Sequence, residues 1–335
     1  MTRALCVLLL LLGTVWPVRQ AEAVTQCTAT ATPLLFPPAG VAQVDSASTV
    51  SVTCNTFGLS LLATARVRMC LSLDGGSAAP AQTTPRLMRN AFGDPLQFQI
   101  YRNAGRTLVW GGLATPSNPT SVQIDLEYPV PVLGGTGTTT FTAYGRVPAQ
   151  TGAASGTYLN VFNPGNATLT YQYAEALLLA PPWPASCLSG GIGGRTIGYD
   201  FTASAPVASR CTLSSATDLD FGNVPGAIAS DRDQNSTVTF TCTGRTAWSV
   251  GLDNGLHASG PVRRMRRGTS ADYVRYELYR DAPRNLRWGT SAGVDTASGT
   301  GTGTAQSVTV YGRVPAGQVV PAGSYADTIT VTVTY

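Results

Sequence analysis

Side chains that could do acid–base or metal chemistry are sparse in this 335-residue sequence. Its single histidine is His257, and behind the N-terminal leader the glutamates are Glu127, Glu175 and Glu277. All 22 basic residues are arginine, which excludes Schiff-base catalysis and Lys–Asn isopeptide crosslinks. Six cysteines remain behind the leader, but none has the Cys-x-x-Cys spacing of a zinc site. We therefore expect neither an enzyme nor a bound metal or cofactor.

The remaining charged motifs are weak candidates for binding sites. DGG at Asp74 and DRDQN at Asp231 lack the ligand number of calcium loops and predict plain turns. His257 lies in NGLHASG, which is typical of a solvated hairpin turn, and RRMRR at Arg263 predicts a solvated strand face or a contact for an acidic partner. The net charge of +4 is small and aromatic–basic stripes are missing, so no nucleic-acid partner is expected.

Residues 1–23 have the features of a secretory signal peptide. Arg3 precedes the apolar run ALCVLLLLLGTVW, and an Ala-Glu-Ala cleavage site ends at Ala23. The run is too short for a comfortable membrane span. Cys6 leaves with this leader, so an even number of cysteines enters an exported chain. A disulfide framework is the usual outcome of that combination.

The hexapeptide YGRVPA occurs twice, beginning at Tyr144 and at Tyr311. Other landmarks repeat in the same order: a cysteine pair, then RLMR or RRMR, then YRNAGRTLVWGG or YRDAPRNLRWGT, then YGRVPA, then Gly-x-Tyr. A shared order of this length indicates two copies of one domain. We predict domains at residues 24–180 and 209–335, joined by a linker at residues 181–208.

The repeat also predicts how the cysteines pair. Cys27 and Cys54 precede the first YGRVPA, and Cys211 and Cys242 hold the same places before the second. We therefore pair Cys27 with Cys54 and Cys211 with Cys242. The two cysteines left over have no counterparts in the second copy, and a third bridge would join them; they are Cys70 and Cys187.

Each copy has the two-residue period of half-buried strands. Val238, Phe240 and Cys242 alternate with threonines, and the chain ends on the alternating stretch ITVTVTY. Short strands punctuated by turns, without an amphipathic helix, predict an all-β fold. The expected architecture is two immunoglobulin-like antiparallel sandwiches in tandem.

The repeated motifs resemble those of the spore-coat-U-like domain. The second copy carries the full pattern from Cys211 to Tyr335, and the first matches more loosely from Cys27 to about Tyr173, with Asn103 in place of an aspartate. Domains of this family are subunits of archaic (Csu-type) chaperone–usher pili, and the family also includes a spore coat protein. The resemblance implies an incomplete second sandwich that accepts a donor strand, first from a periplasmic chaperone and then, at an outer-membrane usher, from the next pilin subunit.

This resemblance implies roles for two alternating stretches. The final strand, Thr328 to Tyr335, is expected to form the edge of the donor-strand groove. The linker stretch TIGYDFTASAPV lies where a donor extension would lie relative to Cys211, so we expect it to complete the first domain in cis. The groove residues are Ile329, Val331, Val333 and Tyr335. The residues of the cis donor strand are Ile197, Tyr199, Phe201 and Ala203.

The same resemblance implies a two-domain tip adhesin. Only residues 24–26 precede Cys27, which leaves nothing to donate to a subunit ahead, so we expect export through the periplasm to an extracellular pilus tip. The expected role is attachment to an abiotic surface or a host receptor, supporting biofilm formation. Alternatives are a structural spore-coat or cell-surface protein without an adhesive role and, third, a secreted hydrolase.

The first copy differs from the second where a binding loop would lie. The interval from Trp110 to Tyr144 is 11 residues longer than that from Trp288 to Tyr311, and FNPGN at Phe162 is a second insertion. We predict a proline-stiffened, surface-binding loop, with an extra core strand as the alternative. FGLSLL at Phe57 is a weaker candidate, and a sugar pocket at Trp110 is a rival mechanism. The loop residues are Leu126, Tyr128, Val130, Val132 and Leu133.

Overall fold

The computed structural model describes residues 24–58, 62–113 and 120–335. In that part of the chain the regular structure consists of β-strands, and no helix is long and apolar enough to cross a membrane. The predicted signal peptide, residues 1–23, and residues 59–61 of FGLSLL lie outside the described residues. The strands form two groups, named the first body and the second body. The all-β prediction of two tandem sandwiches is confirmed.

The first body is built from the strands of the N-terminal half and of the predicted linker. These strands are β1 (Val24–Ala31), β2 (Leu34–Leu35), β3 (Val44–Phe57), β4 (Ala63–Leu73), β5 (Arg86–Arg89), β6 (Pro95–Tyr101), β7 (Val122–Val130), β8 (Gly134–Val147), β9 (Gly156–Phe162), β10 (Ala167–Leu177), β11 (Gly193–Gly198) and β12 (Phe201–Val207). One sheet has the order β1-β3-β8-β6-β5-β9-β12-β2, and the other has the order β11-β10-β4-β7.

The second body is built from the strands that follow Cys211. These strands are β13 (Cys211–Ala216), β14 (Arg232–Cys242), β15 (Ala247–Leu252), β16 (Arg263–Arg267), β17 (Tyr273–Tyr279), β18 (Ala297–Thr300), β19 (Ala305–Val314), β20 (Tyr325–Ala326) and β21 (Val331–Thr334). Its sheets have the orders β13-β14-β19-β17-β16-β20 and β18-β15-β21.

The two bodies share one topology up to their last strands. Matching the repeated motifs makes β9 the counterpart of β20 and β10 the counterpart of β21. In the first body each of these strands has a further neighbour: β12 pairs with β9, and β11 pairs with β10. Among the described residues of the second body, β20 and β21 each end their sheet.

The repeated arginine before each central hairpin is a structural residue. Arg86 and Arg263 are both fully buried. From Nη2, Arg86 donates to two main-chain carbonyls and Arg263 to three, and in each case one carbonyl belongs to the repeated tryptophan, Trp110 or Trp288. Each tryptophan is buried and donates its indole N–H to the facing strand. The solvated strand face predicted for RRMRR is therefore wrong for Arg263, because its guanidinium satisfies carbonyls inside the sandwich.

The glycine of YGRVPA lies beneath core side chains in both bodies. A Cβ added at Gly145 would come within 2.5 Å of Phe36 Cζ. A Cβ added at Gly312 would come within 2.6 Å of Leu219 Cδ1 and 3.1 Å of Phe221 Cζ. Only glycine lets these side chains rest on the strand backbone. The shared contact also identifies Phe36 and Phe221 as equivalent residues.

Within the described part of the chain three disulfides are present, in keeping with the predicted framework. Cys27 is joined to Cys54 across β1 and β3, and Cys211 to Cys242 across β13 and β14. The third bridge joins Cys70, on β4, to Cys187 in the segment that precedes β11. Beside it, Trp183 lies against the guanidinium groups of Arg66 and Arg68, whose main-chain contacts hold the segment to the sheet.

Candidate functional site

An open apolar groove runs through the second body between its two sheets. The cavity has a volume of about 480 Å³ and opens beside β20. In the first body the corresponding space is occupied by β12, which pairs antiparallel with β9 and parallel with β2. The side chains that lie along the cavity include Leu219, Phe221, Met265, Tyr276, Tyr325 and Ile329.

The inward side chains of β12 are buried in the first body. Phe201, Ala203, Ala205 and Val207 all point into its core. The ring of Phe201 lies 5.5 Å from that of Phe162 and 6.2 Å from that of Trp110, centroid to centroid. The strand therefore supplies a central aromatic layer of the first sandwich.

Equivalent core residues are more exposed in the second body than in the first. Residues of the first body that face β12 are buried, whereas their counterparts along the open groove are half-buried. The difference follows from the open space, because no strand covers those side chains in the second body. The equivalent pairs are Leu34 and Leu219, Phe36 and Phe221, Met88 and Met265, Tyr158 and Tyr325, and Phe162 and Ile329.

The predicted groove residues are only partly gathered at the cavity. Ile329 and Val331 line it, whereas Val333 lies further along β21, paired with Val250 of β15, and Tyr335 is 59% exposed at the chain end. The expected single strand from Thr328 to Tyr335 needs correction. The strand β21 spans Val331–Thr334 and belongs to the sheet β18-β15-β21, not to the sheet that contains β20. The sheet edge beside the opening is β20, which the sequence prediction missed because only two of its residues pair.

The predicted cis strand is two strands. Phe201 and Ala203 lie in β12, whereas Ile197 lies in β11 and pairs with Leu169 of the other sheet. Tyr199, which is buried, lies between the two strands. The alternation from Ile197 to Ala203 therefore reflects a chain that crosses from one sheet to the other.

A buried carboxylate lies at the wall of the groove. The Asp327 carboxylate accepts hydrogen bonds from the Tyr276 hydroxyl at 2.7 Å and from the main-chain N–H of His257 at 3.1 Å. The Nδ1 atom of His257 lies 3.0 Å from Asp327 Oδ1, so this histidine is not the solvated turn residue that the sequence predicts. Burial and the neighbouring Asp327 carboxylate raise the pKa of Tyr276, which keeps its hydroxyl protonated as a donor.

A second candidate site is an exposed apolar end of the first body. The ends of β3, β7 and β10 and the starts of β1, β4 and β8 meet there, as the pairings of Phe57 with Gly134 and of Ala63 with Val130 and Leu177 require. We name this surface the apolar end. Its exposed residues are Val24, Phe57, Leu62, Val132, Leu133, Leu177, Leu178 and Leu179.

The predicted binding loop is only partly exposed. Leu126, Tyr128 and Val130 lie on β7, where Tyr128 and Val130 are buried and Leu126 packs against the core. The loop assignment is therefore corrected for these three residues, because the alternation of a strand turns them inward. Val132 and Leu133 do form an exposed turn, and Leu133 is 82% exposed. Trp110, the rival sugar-binding residue, is fully buried.

A polar network lies inside the sandwich just below the apolar end. Thr25 donates to the Glu175 carboxylate at 2.8 Å and lies 2.7 Å from the hydroxyl of Thr56, which in turn lies 2.8 Å from that of Tyr128. Burial raises the pKa of Glu175, and the hydrogen bonds from the two threonines oppose that effect only partly. The carboxyl group is therefore easier to protonate than a solvated one.

The apolar end and the second body lie at opposite ends of the first body. Arg245 of the second body forms a salt bridge with Asp94 and lies over the ring of Phe92, and Ser155 donates to a carbonyl next to Arg245. Asp94 directly precedes β6, which pairs with the C-terminal part of β8, whereas the apolar end adjoins Gly134 at the start of β8. The 14 residues of β8 separate the two regions by roughly 40 Å.

The groove residues from the N-terminal part of each body carry a sequence signal that the prediction missed. ATPLLF at residues 31–36 aligns with ATDLDF at residues 216–221. The alignment is supported by identical contacts, because Thr32 bonds with the main chain of Thr49 as Thr217 does with Thr237. Comparing these two hexapeptides would have placed Leu219 and Phe221 on the core face.

Both copies of the repeat match one known domain. The sequence matches the Spore Coat Protein U domain over residues 15–163 and 198–332. The chain belongs to the Spore Coat Protein U domain family. "Protein U" of Myxococcus xanthus is 34% identical over 145 residues, which are 39% of this chain and 80% of that protein. The second Spore Coat Protein U match begins at Gly198 and so includes β12, although β12 packs in the first body.

Two solved structures align with most of this Spore Coat Protein U chain at low similarity. One is the CsuC–CsuE chaperone–tip adhesion subunit pre-assembly complex from archaic chaperone–usher Csu pili of Acinetobacter baumannii, with 17% identity, a TM-score of 0.42, and coverage of 92% of this chain and 100% of that one. The other is the CupB6 tip adhesin of Pseudomonas aeruginosa, with 11% identity, a TM-score of 0.33, and coverage of 94% and 96%.

Proposed function

We propose that this protein is the two-domain tip adhesin of an archaic chaperone–usher pilus. The observation that carries the proposal is the open groove beside β20, in the place that β12 fills in the first body. A sandwich with an apolar groove and an unpaired edge needs a partner strand, because an isolated edge of this kind invites aggregation. Donor-strand addition supplies both the missing backbone bonds and the missing core side chains.

The proposed division of labour assigns a different fate to each body. The first domain, residues 24–180, is completed in cis by β12 of the linker, residues 181–208. The second domain, residues 209–335, receives its strand from other proteins: a periplasmic chaperone during export and the next pilin subunit after transfer at the outer-membrane usher. The finished protein stands outside the cell, at the pilus tip.

The proposed adhesive surface is the apolar end. It gathers eight exposed apolar side chains at the end of the first body that faces away from the second body. An exposed patch of this kind is costly in water and is typical of an interaction surface. We infer hydrophobic attachment to abiotic surfaces or a host receptor, in support of biofilm formation. The proposed role is adhesive and not enzymatic.

Donor-strand acceptance is tested by co-expression with a periplasmic pilus chaperone. We expect the mature chain to be recovered in high yield as a soluble complex with the chaperone, and in low yield and prone to aggregate at high concentration without it. Ile329→Asp places a charge on the groove wall and should abolish the complex. Thr328→Asp, which changes the exposed neighbouring residue, should leave the complex intact. Equal recovery and equal solubility with and without the chaperone would contradict the proposal.

Adhesion is tested with charge substitutions of equal exposure in the two bodies. Leu133 at the apolar end is 82% exposed and Val319 in the second body is 84% exposed. We expect Leu133→Asp to lower retention of the purified complex on a methyl-terminated surface several-fold, and Val319→Asp to leave retention unchanged. If both variants and the unmodified protein were retained equally, the proposal that the apolar end is the adhesive surface would be contradicted.

A structural coat protein is the second candidate. The 34% identity to "Protein U" favours it, since the family takes its name from a spore coat. A coat protein of this kind needs no chaperone and no adhesive patch. The co-expression experiment therefore separates it from the pilus adhesin.

A further inference from the structure

Two acidic residues replace neutral ones at the lip of the open groove. Aligning ATPLLF with ATDLDF places Asp218 at the position of Pro33 and Asp220 at that of Leu35. Both aspartates are exposed and flank Leu219, whose side chain faces the cavity. The apolar inward positions are thus kept in the second body, and the change is confined to the outward ones.

The first body shows what lies beside these positions when a strand is bound. Leu35 pairs in parallel with Ser204 of β12, and the main-chain N–H of Phe36 donates to the Ser204 carbonyl at 2.9 Å. The same register places Thr202 beside Pro33. Thr202 and Ser204 point outward, between the inward residues of β12. A strand bound in the second body would therefore present two outward side chains next to Asp218 and Asp220.

Neither aspartate forms an ion pair with a residue that the structure describes. Within residues 24–58, 62–113 and 120–335, no salt bridge includes Asp218 or Asp220. Asp220 accepts a hydrogen bond from the main-chain N–H of Gly222 at 2.8 Å, which leaves its negative charge unpaired. The charges therefore remain available to whatever strand fills the groove.

We propose that the groove selects a donor strand that alternates apolar inward residues with basic outward residues at the two positions beside Asp218 and Asp220. The occupant is the segment that precedes the first cysteine of another Spore Coat Protein U domain, because β12 holds that place relative to Cys211. It runs antiparallel to β20, as β12 runs to β9. This inference rests on the proposed function and adds the chemistry of the partner.

The charges set selectivity more than overall affinity. An exposed ion pair contributes about 0.2–1 kcal/mol, which corresponds to a factor of roughly 1.4–5 in the dissociation constant. Two pairs therefore favour a doubly basic strand by roughly 2- to 25-fold over a neutral one. The apolar side chains and the backbone bonds supply the larger, less selective part of the affinity.

The experiment uses the full mature chain and three fluorescently labelled peptides. The first is GYDFTASAPVA, residues 198–208 of the chain itself; the second carries Thr202→Arg and Ser204→Arg, and the third carries Thr202→Glu and Ser204→Glu. Each is incubated with the chain at low and high salt, and the peptide retained by the chain is measured after size exclusion. The receptor variants are Asp218→Asn with Asp220→Asn and, as a charge-matched control, Asp125→Asn with Glu127→Gln on the first body.

The expected order of retention is arginine peptide, then neutral peptide, then glutamate peptide. The differences should shrink at high salt and vanish in the Asp218→Asn, Asp220→Asn variant, but persist in the control variant. Equal retention of all three peptides would overturn the charge inference and leave the proposed function standing. Retention of none of them would count against strand acceptance itself, and so against both.

Discussion

Phe201 lies directly opposite Phe162 in the antiparallel pair of β12 and β9, with ring centroids 5.5 Å apart. The equivalent of Phe162 in the second body is Ile329, which borders an open cavity instead of a partner side chain. At this position the two copies of the domain therefore differ by the presence of β12. In the proposed assembly, a strand donated by another protein fills the place in the second body that β12 fills in the first.

Phe201→Ala tests whether β12 holds the first body together. Because Phe201 is fully buried among aromatic rings, the substitution should lower the free energy of unfolding of the first body by about 3–5 kcal/mol. Thr202→Ala, the outward neighbour on the same strand, should cost less than about 1 kcal/mol. Chemical denaturation of the chain measures both, and equal stabilities would mean that β12 is dispensable.

Gly145→Ala tests the structural reading of YGRVPA. The added Cβ would meet Phe36 Cζ at 2.5 Å and Leu34 Cδ2 at 2.7 Å, so we expect a loss of about 1–3 kcal/mol. Gly152→Ala is the control, since a Cβ there meets nothing within 4 Å. Thermal unfolding should separate the two variants clearly. A neutral Gly145→Ala would show that the core tolerates a side chain in the repeated motif.

Glu277→Gln tests the charge inside the second body. Glu277 pairs with the buried Arg263 and with Arg287 at 2.9 Å, and its charge opposes the lowering of the pKa of Arg263 by burial. Its neutralisation should cost about 1–3 kcal/mol in unfolding free energy. Glu127→Gln makes the same change in a solvent-exposed pair with Arg66 and should cost less than about 1 kcal/mol. Equal costs would mean that burial does not strengthen the inner pair.

Glu175→Gln tests the polar network below the apolar end. Burial raises the folded-state pKa of this carboxyl above its unfolded value, so ionisation weakens the fold as the pH rises through that range. The glutamine variant can still accept the Thr25 hydrogen bond, and should be more stable near neutral pH by on the order of 0.5 kcal/mol after allowance for solvent screening.

The pH dependence supplies the control for Glu175→Gln. Below the unfolded-state pKa the carboxyl is protonated in both states, so the two proteins should then melt at the same temperature. Thermal midpoints measured from roughly pH 3 to pH 8 would reveal the crossover. A variant that is less stable than the unmodified protein at neutral pH would contradict the sign of the shift.

The sequence predicted the fold better than it predicted the site. Alternation in stretches such as VTFTC and the matched motifs around Trp110 and Trp288 were enough for two tandem sandwiches, because local period and repeat order do not depend on long-range contacts. The corrections concern residues whose burial depends on which strands and which sheet pack against them. The alternating pattern around Tyr128 is the same whether β7 is an exposed strand or a core strand. Only the pairing with β4 and the packing of the opposite sheet show that Tyr128 points inward.

The groove was harder to place for a related reason. Its edge is β20, where only Tyr325 and Ala326 pair, and its floor comes from residues far apart in the chain, among them Phe221 and Met265. Such a site is defined by a strand that is missing from the second body. It becomes visible only when each residue is compared with its equivalent in the first body, where β12 is present.

Backbone amide exchange along β20 tests the central claim most directly. Hydrogen–deuterium exchange compares residues 325–329 of the second body with residues 158–162 of the first body in one sample, so the chain supplies its own control. We predict that residues 325–329 exchange rapidly in the chain alone and become protected when a chaperone or donor strand is bound, whereas residues 158–162 are protected throughout. Equal protection of both segments in the chain alone would contradict the claim that the second body lacks the strand that completes the first.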